Sequence, residues 1–163
     1  MPAEPADWLF AEAVEDALQA IDGTGDYHYD VADAVHYGLY DPSEPPQAAP
    51  CVSFMLLETR ENDGPDLPGR TVRPTVTVQG WALATADTAR ERAHAAARLA
   101  SDVRQALKVA KNYGSASILN TLVIDLEIAS NALDGGEVGA PASSGYVALS
   151  ITGLIHRSYA ETE

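Results

Sequence analysis

The sequence predicts an α+β fold in which a mostly antiparallel sheet is packed by two helices. Two segments, about residues 8–21 and 86–111, space their apolar side chains at the helical period; three others, 27–40, 121–129 and 145–156, alternate at period two, and 51–59 and 75–84 read as further strands. Clusters of Pro, Gly and Asn separate them and give the order α-β-β-β-α-β-β. At 163 residues and 46% apolar composition, the chain fits one domain spanning 1–163.

The first helix carries Phe10, Val14, Leu18 and Ile21 on one stripe and Glu12, Glu15 and Asp16 opposite. Asp7 is the expected N-cap, and Gly23 and Gly25 stop the helix. Tyr27–Tyr40 alternates and predicts a strand, with a suspected break at Ala32–Asp33. Four prolines within Asp41–Pro50 lack the N–H that a sheet interior requires, so this segment is an exposed connector. Cys51–Thr59 is apolar on both faces, which suits a strand covered on both sides. Arg60–Arg73, containing Asn62-Asp63-Gly64-Pro65, reads as a long loop, and Thr75–Ala84 as the third strand.

The second helix would be about 39 Å long at 1.5 Å per residue. Its expected inner stripe is Ala89, Ala93, Ala96, Ala100, Val103, Leu107 and Ala110, with Thr85 or Asp87 as cap. Thr121–Ala129 alternates with Leu122, Ile124, Leu126 and Ile128 inward and Asp125 and Glu127 outward. Gly145–His156 places Val147, Leu149, Ile151 and Ile155 on one face, and Ser130–Ser144 is a second long loop. Trp81 is expected in the same core as these strand residues, beneath both helices.

Charge is distributed unevenly. Residues 1–66 hold fifteen acids and one base, Arg60, whereas residues 67–163 hold nine of each, so the whole net charge of −14 belongs to the first part. Such a surface repels phosphate and argues against a protein that wraps duplex DNA. Six of the ten bases, Arg90, Arg92, Arg98, Arg104, Lys108 and Lys111, lie on the second helix, which is therefore suited to an acidic partner, including the acidic part of another copy. Cys51 is the sole cysteine, so neither an intrachain disulfide nor a thiolate zinc cluster can form. The longest apolar stretch, near Val52–Leu57, is too short to span a bilayer, and no basic region precedes an apolar one at the N-terminus. A soluble intracellular product with no membrane partner is expected.

Reactive constellations are not visible. His28, His36, His94 and His156 are dispersed, without a His-Glu-x-x-His pattern, and read as ordinary surface or interface histidines. Asp125 and Glu127 share a strand face and could hold a cation or act as an acid–base pair, but no third ligand accompanies them. The glycine clusters at 23–25 and 135–139 lack Gly-Lys-Ser/Thr, and Ser143-Ser144-Gly145 lacks the Gly-x-Ser-x-Gly elbow. No catalytic residue, metal or cofactor is nominated, and a structural or assembly role is favoured.

Several phrases resemble a known family. The early helix ends in Ile21-Asp22-Gly23-Thr24-Gly25-Asp26-Tyr27, the proline-rich step Asp41–Pro50 enters a strand, and Thr75-Val76-Thr77-Val78-Gln79-Gly80-Trp81-Ala82 precedes an Ala86-Asp87-Thr88 helix start and a long Ala/Arg helix. In this order, over residues 8–157, the chain resembles the tail terminator, or tail completion, proteins of long-tailed bacteriophages and phage-derived particles. The resemblance implies a virion protein, made in the host cytoplasm, that forms a homohexameric ring on the head-proximal end of the tail tube. Such a ring stops tube polymerisation and contacts the tube protein and a neck or head-completion protein, while DNA passes through an acidic channel without specific binding. For that role the interface candidates are Arg90, Arg98, Arg104 and Lys108 on the helix and Arg60 and Arg70 in the first loop, and the channel candidates are Asp30, Asp33, Asp125 and Glu127. Other head–tail joining or neck proteins share small size and ring symmetry and are the alternative within the same class. An alternative from another class is a small enzyme or ligand-binding domain using Asp125, Glu127 and a histidine.

Overall fold

The computed structural model describes residues 4–38, 50–61, 74–112, 118–134 and 144–155. The elements are α1 (Ala6–Leu18), β1 (Val35–Tyr37), β2 (Cys51–Glu61), β3 (Pro74–Thr85), α2 (Ala89–Asn112), α3 (Ile118–Leu122), β4 (Val123–Asp134) and β5 (Ser144–Ile155). Five strands form one sheet in the order β1-β2-β3-β5-β4, with β1 parallel to β2 and every other pair antiparallel. The fold is α+β, as the sequence predicts. The short helix α3 is an element that the period-two reading of 121–129 absorbed into a strand.

The helices lie on one face of the sheet and the core lies between. Phe54, Val76, Val78, Ala82, Leu149, Ile151 and Ile155 from the strands meet Phe10, Val14 and Leu18 of α1 and Leu99, Val103 and Leu107 of α2, all buried in one cluster. Burial of this apolar surface is the main source of stability. Two glycines permit the close approach. A Cβ at Gly145 would lie 2.0 Å from the carbonyl oxygen of Arg92, and one at Gly153 would lie 2.6 Å from the Phe10 ring, so α2 and α1 seat on β5 only because these strand positions are bare.

Helix α1 starts one residue before Asp7. Pro5 occupies the cap position without a side-chain bond, and Asp7 falls in the first turn, where the helix dipole favours an acid. Helix α2 is capped by Thr88, whose hydroxyl accepts the Glu91 amide at 3.2 Å, rather than by Thr85 or Asp87. Its buried stripe is Ala96, Leu99, Ala100, Asp102, Val103, Ala106 and Leu107. Ala89 and Ala93, expected on the inner stripe, are exposed.

Of the expected strand Tyr27–Tyr40, whose last two residues lie outside the described ones, Val35–Tyr37 is the part that is strand among the described residues. The chain turns at Ala32–Asp33, the suspected break, and residues before it spend their amides elsewhere: His28 and Tyr29 donate to Asp102, and Val31 donates to the Ile21 carbonyl at 2.9 Å. In β4 an irregularity between Val123 and Asp125 shifts the register, so Val123 is buried and Ile124, expected inside, is 41% exposed. Trp81 lies on the opposite side of the sheet from the helices, packed with Cys51, Leu83, Ala34 and Ala148. The two expected long loops fall mostly outside the described residues. Arg60 and Glu61 belong to β2, and Ser130–Asp134 to β4.

Candidate interaction surfaces

Helix α2 crosses β3, β5 and β4 and turns its basic side to solvent. Arg90, Arg98 and Lys108 are exposed and make no side-chain hydrogen bond or ion pair among the described residues. Arg104 is half-buried and donates from Nη2 to the Ser130 hydroxyl at 2.5 Å, which ties the helix flank to β4. Arg92 donates to the Asp87 carbonyl at the helix start. Arg60 stands apart on β2, where its Nε donates to Glu58 at 2.7 Å; that bond and the adjacent charge raise its already high pKa. Arg70 lies outside the described residues.

The four candidate channel acids occupy two places. Asp30 and Asp33 sit in the turn before β1, at one edge of the sheet, and both are exposed. Asp30 also accepts the Ala32 amide and lies opposite Asp22 in an isolated bridge. Asp125 and Glu127 are exposed on β4, the edge strand at the other end of the sheet order from β1. Within one protomer they do not form one cluster. A channel lined by all four would need several copies. Among the described residues no group of three or more His, Cys, Asp or Glu side chains could hold a metal ion. No described helix is long and apolar enough to cross a membrane.

The loop after α1 explains the local acid pattern. Gly23 takes a φ of +77°, a conformation that side chains disfavour, and a Cβ there would lie 3.2 Å from the Asp30 Cβ. Asp22 then accepts both the hydroxyl and the amide of Thr24, at 2.7 and 3.0 Å, and the hydroxyl bond is the main reason its pKa lies below the usual aspartate range.

The most developed polar site was not among the sequence candidates. Asp102 points inward from α2 and is 1% exposed. Its carboxylate accepts the His28 amide at 3.0 Å, the Tyr29 amide at 2.9 Å and His28 Nδ1 at 2.8 Å. A buried carboxylate is tolerated when N–H donors replace its lost water, and here the donors come from a segment 73 and 74 residues away in sequence. Burial, followed by the charges of Asp22, Asp102 and Asp26, raises the pKa of nearby Tyr27. With Nδ1 directed at Asp102, the other ring nitrogen of the half-exposed His28 is turned away from the carboxylate. Cys51 is buried, which pushes its thiol up to about 11, so it is a neutral core group and not a nucleophile.

One further surface stands out by its exposed aromatic rings. Trp8, 38% exposed, and Tyr37, 51% exposed, have ring centroids 5.7 Å apart, and Tyr37 stacks edge-on against Phe54 at 5.2 Å. Carboxylates flank them: Trp8 Nε1 donates to Glu12, and Asp7 accepts the Trp8 amide and the Thr59 hydroxyl. The helical pattern places Trp8 off the buried stripe of α1. The sequence alone did not show which strand would come to lie beside it. In comparisons with known proteins, no family model and no curated protein matches the chain.

Proposed function

We propose that the chain is a structural, ring-forming assembly protein of the tail terminator kind. It caps the head-proximal end of a tail tube as a hexamer, ends tube polymerisation, joins the tail to a neck or head-completion protein, and leaves a channel for DNA. The observation that carries this reading is the segregation of unspent charge. Residues 1–66 are acidic throughout, while Arg90, Arg98 and Lys108 project from α2 without partners among the described residues. Charges left unpaired within a monomer are available between monomers, where they select a partner and fix orientation. The acidic remainder would repel phosphate, so DNA could slide past without adhering. Negative-stain electron microscopy of the purified full chain tests this reading directly. Rings with a central hole are expected, and uniform particles of a single 17.2 kDa chain would overturn it.

The Asp102–His28 pair favours a second reading, that of a small enzyme in which a buried carboxylate orients an imidazole as general base. Its test is substrate turnover that His28→Ala abolishes while leaving the fold intact.

A further inference from the structure

We propose that the Trp8–Tyr37 pair, with Glu12 beside it, is the receptor for an arginine from helix α2 of a second copy of this chain; the inference rests on the ring reading above. Two exposed aromatic faces bordered by carboxylates form a site chemically suited to a guanidinium. The planar cation lies against a ring while its N–H fork reaches an acid. One oxygen of Glu12 already accepts the Trp8 indole N–H at 3.1 Å, which holds the ring and the carboxylate together and leaves the second oxygen for a donor. Asp7, engaged by Thr59 and by the Trp8 amide, adds negative potential from the same helix turn.

The occupant is specified by what the chain exposes elsewhere. Arg90 and Arg98 are solvent-facing, carry the required planar cation and have no partner among the described residues. Within their own chain they do not occupy the receptor: although α1 packs on α2, neither arginine makes a hydrogen bond, ion pair or ring contact among the described residues, and α2 lies mainly over β3, β5 and β4 whereas Tyr37 belongs to the edge strand β1. Donor and receptor are therefore different surfaces of one molecule. Contact between unlike surfaces propagates head to tail and closes into a ring when the rotation allows, which a two-fold contact cannot do. The aromatic pair thereby supplies a specific seat within a contact that net charge alone would only steer.

Sedimentation equilibrium on the full chain tests the proposal with wild type, Glu12→Lys, Arg90→Glu/Arg98→Glu, and the charge swap combining all three. Glu12, Arg90 and Arg98 are exposed, and a background of Trp81→Phe, an aromatic exchange at a half-buried position, leaves Trp8 as the sole indole reporter. We expect each reversal to weaken association by about tenfold or more and the swap to recover part of it. Arg90→Lys/Arg98→Lys, which keeps charge but not the plane, should lose association and the shift of Trp8 emission. If wild type forms rings and Glu12→Lys and Arg90→Glu/Arg98→Glu assemble as well as it does, the receptor is overturned and the ring stands. If the arginine reversal blocks assembly but Trp8 emission never changes on association, the arginines dock elsewhere and the receptor is likewise overturned. Wild type that remains monomeric at every concentration overturns both readings.

Discussion

The N-terminal segment 4–33 and helix α2 are opposites in charge. The first holds nine acids and no Lys or Arg; the second holds six bases and two acids. Opposite charge on neighbouring elements suggests that they attract each other within the monomer, yet where they meet the signs are reversed. Beside the apolar packing of α1 on α2, the polar contact is made by Asp102, a buried acid of the basic helix, and its partners are backbone amides and an imidazole from the acidic segment. The two regions are joined by apolar packing and by hydrogen bonds to one buried carboxylate, and their surface charge is left over. Exposed ion pairs contribute little to folding in any case. In the proposed ring these charges would act between molecules.

Removing the internal contact should have the largest effect. Asp102→Ala leaves two amides and a ring N–H without their acceptor and should cost about 3–5 kcal/mol in urea unfolding, with early loss of hydrogen-exchange protection at His28 and Tyr29. A cost below about 1 kcal/mol would mean that the segment is held by its apolar residues alone. The seating of α2 comes next. Gly145→Ala places a methyl group against the Arg92 backbone, and since backbone cannot rotate away, about 1–3 kcal/mol is expected from the same measurement.

Ile124→Ala separates the sequence reading from the structure. An inward isoleucine would cost about 2–5 kcal/mol, as Leu149→Ala should, whereas a side chain 41% exposed should cost below about 1 kcal/mol. Smallest of all is Arg98→Ala, expected within about 0.5 kcal/mol of wild type in the dissociated protein. A larger loss there would show that the basic surface does stabilise the monomer, and the contrast between the two regions would fail.

Much of this architecture is legible in the residues because local periodicity reports which face is buried. Phe10, Val14 and Leu18 on α1, and Val147, Leu149, Ile151 and Ile155 on β5, are inward as their spacing requires. What failed did so for identifiable reasons. The alternation at Tyr27–Val31 is real, since Val31 is buried and Tyr27 and Tyr29 pack on the core, but a distant carboxylate takes the backbone amides that a strand would have paired. Ile124 was misassigned because a one-residue register shift inverts parity, and sequence alternation carries no sign of it. Asp102 could have been noticed as an acid three residues after Leu99 and four before Ala106, on the flank of a buried stripe. Nothing local identifies its partners, which lie more than seventy positions earlier. The positions of the basic residues on α2 were readable directly, and the aromatic pair was not, because Trp8 and Tyr37 are brought together only by the fold.

If α2 docks on the acidic segment of another copy, the lysines beside its arginines come near N-terminal carboxylates between chains and not within one. Zero-length carbodiimide coupling of an equal mixture of light and nitrogen-15-labelled protein, read by mass spectrometry, tests it most directly. Links are expected from Lys108 or Lys111 to carboxylates of residues 4–33, about half of them joining a light to a heavy peptide, as random mixing of intermolecular pairs requires. Links found only between peptides of the same isotope would show that the two regions meet within a single chain, and would contradict it.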